Sequence, residues 1–277
     1  MSMKKSLLLS VCLIVALCVA QAVAFAAPSG VDWGSGAIRA RGFGLPMEGA
    51  TSAAEAELTA RDAAIADTYG ELARIVDTVA VDDATTAKDH RSHRETDIKV
   101  HALIRGARIV YEEWTGEKYI IEMEVPMYGA TQSLSSAILP ETKPQERVSF
   151  PKPTTKVEVT VEVKQTRQAG GYTGLFVDCR GMSLNPAMSP VIKNTSGTKI
   201  YGYKNLESRK VIQNGMAGYA SDMGSATRAG NRPLVVKAVR LENHNFNPVL
   251  SVEDANRVLA ENDISHFLDN CAVVFLR

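Results

Sequence analysis

The chain is short of charge of one sign, of cysteine, and of apolar runs beyond its first 26 residues. Each shortage excludes something. Lysine plus arginine and aspartate plus glutamate each number 31 in 277 residues. Residues 1–26 hold Lys4 and Lys5 and no acid, so the remainder carries a formal charge of −2. Such a balance offers no polybasic field to attract nucleic acid. Past residue 26 no apolar run approaches the roughly 20 residues of a spanning helix, so no membrane span is expected in the mature chain. Serine elbows, zincin motifs, calcium loops and nucleotide fingerprints are missing too. Gly42-Phe43-Gly44 and Gly170-Gly171 lack the following lysine or acid that a phosphate loop needs. No catalytic, cofactor-binding or metal site is therefore expected.

What the chain does have begins with a leader. Lys4 and Lys5 precede an apolar run over residues 7–19, and Ala24-Phe25-Ala26 places small residues at −3 and −1 of a cleavage site. Cleavage after Ala26 is expected, because Pro28 disfavours the next bond. Val11 precedes Cys12 and Leu17 precedes Cys18, and neither is the small residue that lipidation requires. The expected product is exported, periplasmic or outer-membrane-associated, without a lipid anchor.

Residues 35–43 read as a strand in which Arg39 and Arg41 alternate with Ile38 and Ala40, closed by Gly42, Gly44 and Pro46. Ser52 and Glu55 have capping-box spacing ahead of a long Ala-rich helix. Leu58, Ile65, Tyr69, Leu72, Val76 and Val79 supply its stripe. Residues 88–97 are highly polar. His90 and His93, with Asp89, Glu95 and Asp97 nearby, are metal-ligand types, but no third ligand has diagnostic spacing, and Arg91 and Arg94 oppose a cation. A solvated loop or helix end is expected. Ile98, Val100, Ala102 and Ile104 alternate as a strand, with a bulge at Gly106 before Ile109 and Tyr111. Thr115-Gly116-Glu117 turns the chain into a second strand through Tyr119, Ile121, Met123 and Val125, stopped by Pro126.

A glycine-bearing strand (Ala40-Arg41-Gly42), an Ala-rich helix with Ala63 and Leu72, and a hairpin ending Glu122-Met123-Glu124-Val125-Pro126-Met127-Tyr128-Gly129 resemble the Lpp-twenty-like bacterial envelope lipoprotein domain. The amino-terminal domain of flagellar assembly protein T is similar. The resemblance spans residues 33–130. It implies one long helix on a small antiparallel sheet and a role among envelope or appendage proteins.

Thr131 to Leu139 read as a short helix, and Pro140, Pro144, Pro151 and Pro153 mark residues 131–155 as a linker. The second domain, 156–277, is expected to be α+β. Val157, Val159, Val161 and Val163 alternate as a half-buried strand. A strand at Leu175, Phe176 and Val177 ends at Asp178-Cys179-Arg180-Gly181. Pro186 and Pro190 extend the chain, and strands near Ile192 and 199–203 flank a turn. Residues 173–202 resemble a segment of uncharacterised exported proteins that carry the Lpp-twenty-like domain first, on Asp178, Arg180, Gly181, Pro186, Pro190, Tyr201 and Gly202. Residues 206–219 read as a helix weakened by Gly215 and Gly218. A strand over 234–241 has apolar residues on both faces and is expected inside its sheet. Pro248 breaks the chain, Ser251 with Asp254 starts a helix, and residues 272–276 form a last strand beside the Leu175 strand.

That placement is expected to bring Cys179 and Cys271 together, as an exported pair can, closing a loop of about 90 residues worth roughly 4 to 5 kcal/mol. Two small buried hydrophobes are the alternative. Cys179 with His244 or His266 would be a thiol nucleophile and base, but no local hydrolase signature surrounds them. Asp178 and Arg180 are expected to pair locally within their turn. The sequence thus points to an α+β, non-catalytic envelope protein acting as a structural or interaction module, with a flagellar or other envelope assembly as its setting. A periplasmic small-ligand binder, or an enzyme whose site is built from dispersed loop residues, is the alternative.

Overall fold

The computed structural model describes residues 29–140, 146–154 and 171–277. The leader and the alternating valines from Val157 to Val163 lie outside the described residues. The fold is α+β, with a small antiparallel sheet and a long helix first and a second α+β unit after it. Among the described residues no helix is long and apolar enough to cross a membrane.

Strands β1 (Gly30–Asp32), β2 (Ala37–Gly44), β3 (Arg108–Trp114) and β4 (Tyr119–Pro126) form an antiparallel sheet of order β1-β2-β4-β3. Its outer face carries cross-strand charge pairs, Arg39–Glu124 at 2.7 Å and Arg41–Glu122 at 2.6 Å. Its inner face, with Ile38, Ala40, Ile121 and Met123, lies on helix α1 (Ala53–Thr78). Ser52 caps α1 by accepting from the Glu55 N–H at 3.1 Å, while Glu55 accepts from the Thr51 N–H at 2.8 Å.

The buried stripe of α1 is Ala60, Ala64, Thr68, Leu72, Ile75 and Val76. Leu58, expected in the core, is 59% exposed. The reason lies in β2, where Gly42 stands within the strand and Gly44 is its last residue, and both let it touch the helix. A Cβ on Gly44 would sit 1.9 Å from the Ala60 carbonyl oxygen and 2.3 Å from the Ala64 nitrogen. One on Gly42 would sit 2.3 Å from Thr68 Oγ1. At such close approach only small helix residues fit the contact, so the larger Leu58 is turned outward.

Residues 98–104, expected as a strand, belong to helix α3 (Arg94–Arg105), which follows the short α2 (Ala87–His90). The apolar residues fit both periods, but Val100, Leu103 and Ile104 are buried at i, i+3 and i+4, while Ile98 is 57% exposed. Glu95–Lys99 at 2.8 Å supports the helix at i, i+4, and Gly106 caps it instead of bulging a strand. The register shift falls one turn later, between Ile109 and Tyr111.

After α4 (Leu134–Ile138), strands β5 (Gly174–Asp178), β6 (Ile192–Asn194), β7 (Lys199–Tyr201), β8 (Gly218–Ala220), β9 (Pro233–Lys237), β10 (Arg240–Glu242), β11 (Asn247–Leu250) and β12 (Val273–Leu276) make two further sheets. Helix α5 (Ser208–Asn214) lies between β7 and β8, and α6 (Val252–Ser265) between β11 and β12. One sheet, β8-β12-β5-β9, is wholly parallel, and the other runs β10-β11-β6-β7. β9 is therefore an edge strand, not the interior strand expected, and Val235 on it is 45% exposed. Pro248 does not break the chain. It sits inside β11 opposite Leu241, just before pairing with β6 begins at Val249, where its missing N–H costs no ladder bond. The strand at 272–276 does lie beside the Leu175 strand, with Val273 opposite Leu175.

The expected Cys179–Cys271 disulfide is absent, and both thiols are free and buried. Neighbouring strands bring the two cysteines together only if the strands run in opposite directions. β12 runs parallel to β5, so Cys271 precedes its strand while Cys179 follows its own. Some six residues of strand separate the two levels, on the order of 20 Å. No bridge spans that.

The two halves share one continuous core. The Ser189 N–H donates to the Val81 carbonyl at 2.7 Å, and Ser135 Oγ donates to the Ile212 carbonyl at 2.6 Å. Asp83 accepts from the side-chain amides of Asn243 and Asn247. The proline-rich stretch expected as a linker is bound to the fold where described. Leu134, Ile138 and Leu139 are buried, the Val148 N–H donates to the Lys204 carbonyl at 2.8 Å, and Arg147 pairs with Asp269 at 2.7 Å.

Candidate functional site

The two halves meet around a cleft of about 400 Å³. The β1–β2 turn supplies Trp33 to Gly36, the chain after β4 supplies Tyr128, and β8 with its following loop supplies Gly218, Tyr219, Ser221, Ser225, Thr227 and Arg228. Asp32 shapes the first wall. Its carboxylate accepts from Ser35 Oγ at 2.6 Å, the main reason its pKa lies below the usual range, and from the Gly34 N–H at 3.0 Å, which together fix the turn. The turn then presents Trp33 edge-on to Tyr219, ring centroids 5.6 Å apart. Tyr219 is anchored from behind, its hydroxyl donating to the Ala187 carbonyl at 2.8 Å.

Tyr128 is clamped by two glycines. A Cβ on Gly36 would come within 3.3 Å of its ring and one on Gly215 within 2.7 Å. Gly215 also has φ +74°, in the left-handed region that closes α5. Burial pushes the Tyr128 phenol pKa up, so it remains a neutral O–H. Arg228 forms the floor. Its Nη1 donates to the carbonyls of Gly215 at 3.1 Å and Cys271 at 3.2 Å, and its Nη2 donates to the Asn214 carbonyl. Gly218 packs beside it, where a Cβ would make ordinary contact with Nε at 3.4 Å.

Residues 174–277, from β5 to the last residue, match a family model described as Treponema pallidum Tp0624, second domain. No curated protein matches the chain. The matched segment includes β8, Arg228 and the loop between them, whereas Trp33 and Tyr128 come from outside it.

The residues singled out in the sequence lie elsewhere. Asp178 and Arg180 make the local pair, 2.7 Å between Nη2 and Oδ2, and the guanidinium holds the Asp178 carboxyl down at about 2. Gly181 turns at φ +80°. The stretch bounded by Pro186 and Pro190 carries the chain to the first half, where the Met188 N–H donates to the Ala80 carbonyl at 3.0 Å. Tyr201 is fully buried, its hydroxyl donating to the Met216 carbonyl at 2.7 Å, and Gly202 leads into a 3-10 turn. These positions hold backbone together and are not brought to one point. Cys179 is buried in apolar surroundings, with its thiol pushed up to about 12, so it stays protonated at neutral pH. His90 and His93 rim an open groove with Glu95 and Lys99. Arg91 ties Asp77 to Asp97 beside them at 2.6 and 2.8 Å. Among the described residues no group of three His, Cys, Asp or Glu could hold a metal ion.

Sequence reasoning missed Trp33, Tyr128 and Arg228 as a set. They are 95 and 100 residues apart along the chain. The available signal was the glycines at 34, 36, 215 and 218, which read locally as loop or helix-breaking residues.

Proposed function

We propose that this protein is an exported, non-catalytic binding protein of the bacterial cell envelope, acting through the cleft between its two halves. One observation carries the reading: the cleft walls come from both halves, and Gly36 and Gly215 make way for the Tyr128 ring that lines it beside Arg228. A chain evolved only to stack its two halves needs neither an open cleft nor a cation at its floor. The leader at residues 1–26 supports export. The resemblance of residues 33–130 to envelope lipoprotein domains supports an envelope or appendage protein as partner, a flagellar assembly being one form of it. A small-ligand binder is the second reading, favoured by the cleft volume, which falls within the range of small-molecule pockets.

The test is a crosslinked pulldown from envelope, read by mass spectrometry, with wild type and with Ser221→Trp, which fills the cleft from an exposed position. A fixed partner recovered by wild type and lost with S221W is the expected result. Equal recovery by both proteins removes the cleft from the function.

A further inference from the structure

We propose that the cleft recognises a carboxylate, held by Arg228 and Tyr128. The proposal rests on the binding role assigned to the cleft above. A guanidinium has five N–H donors. Three of those on Arg228 are spent on the carbonyls of Asn214, Gly215 and Cys271, leaving the Nε–H and one Nη2–H. Those same two nitrogens grip carboxylates elsewhere in this protein, Arg74 on Glu71 and Arg180 on Asp178, at 2.6 to 2.9 Å. Arg228, by contrast, makes no ion pair with any carboxylate among the described residues. Its charge is set in the protein surface against carbonyl dipoles alone, and a carboxylate entering the cleft would complete it.

Tyr128 adds a second donor. It lies close enough to feel the Arg228 charge, and its hydroxyl has no hydrogen-bond partner among the described residues. Two acids adjoin lining residues along the chain, next to Trp33 and Ser221, but both are already engaged. Asp32 is held by Ser35, Gly34 and Arg39, and Asp222 by the Ser225 N–H at 2.9 Å. The aromatic wall of Trp33 and Tyr219 leaves a face for an apolar or planar body next to the carboxylate. Such a group is offered either by a free small acid or by the carboxyl terminus of a partner chain.

Trp33 and Trp114 are the two tryptophans, so Trp114→Phe leaves Trp33 as a fluorescent reporter in the cleft. The probes are N-acetyl-alanyl-alanine, its carboxamide, and a ten-residue peptide with the same free carboxyl terminus. The expected result is saturable change in Trp33 emission with the acid and at least about tenfold weaker binding of the amide, the scale of a hydrogen bond to a charged group. Tyr128→Phe keeps the clamped ring and removes only the hydroxyl. It is expected to weaken the acid several-fold, and Arg228→Gln to abolish the preference for acid over amide. A peptide about tenfold tighter than the small acid identifies a chain terminus, and equal affinity identifies a free acid. Equal binding of acid and amide overturns the carboxylate assignment while leaving the cleft a binding site. Silence of Trp33 toward all three probes, with partner capture still lost in S221W, overturns it as well. Silence together with equal capture by S221W sinks the cleft reading itself.

Discussion

Replacing Gly44 by alanine is the sharpest probe of how this fold is held together. The Cβ would arrive 1.9 Å from the Ala60 carbonyl oxygen, 2.3 Å from the Ala64 nitrogen and 3.0 Å from the Ala60 carbonyl carbon. All three are helix backbone, so no side chain can swing aside. Restoring van der Waals contact requires β2 and α1 to move apart by on the order of 1 Å, and a gap of that size forfeits a quarter to a half of the dispersion well for the lining atoms. Overpacking of this kind costs about 1 to 3 kcal/mol and occasionally more. Against it stands about 0.4 to 1 kcal/mol from a stiffer unfolded chain. The net expectation for G44A is a loss of about 2 kcal/mol, read from the urea midpoint followed by circular dichroism, or a fall in Tm of about 4 to 8 °C for a chain of this size. Gly70→Ala is the matched control. Gly70 lies in the same helix with nothing within 4 Å of a Cβ, so G70A is expected to stabilise by about 0.5 to 1 kcal/mol. If G44A stays within about 0.5 kcal/mol of wild type, the close strand–helix contact does not exist as described.

Three further outcomes are expected. In protein starting at residue 27, a maleimide should label neither Cys179 nor Cys271 in the native state and both after unfolding without reductant; no label after unfolding would mean a bridge had formed. Asp178 has a folded pKa of about 2 against an ordinary 3.8, so its contribution is present above about pH 4 and is lost as pH falls toward 2. Because Arg180 is half exposed, that contribution is below about 1 kcal/mol, and the urea-midpoint gap between wild type and D178N should close across that window. Asp83→Ala deprives two asparagine amides of their acceptor and should destabilise by about 1 to 3 kcal/mol, with no change if the two halves do not meet there.

Local chemistry was legible from the sequence wherever one residue decides it. Ser52 and Ser251 start their helices, Arg39 and Arg41 face out while Ile38 and Ala40 face in, and Asp178 pairs with Arg180. Period was ambiguous over residues 98–104, because Val100 and Ile104 satisfy both an alternating and a helical reading. Burial of Leu103 selects the helix. The face of α1 was misread for a different reason. Glycine in a strand says that something approaches closely, but only the fold says that the approaching body is Ala60 and Ala64, which turns Leu58 to solvent.

The sequence by itself determined the α+β class, the caps of the helices that begin after Ser52 and Ser251, and the inner and outer faces of β2, because these follow from short-range pattern and side-chain chemistry. Tertiary structure alone decided strand direction, and with it the separation of Cys179 from Cys271. It also decided the cleft. Trp33, Tyr128 and Arg228 carry no shared spacing, and only the docking of one half on the other brings an indole, a phenol and a guanidinium to one place.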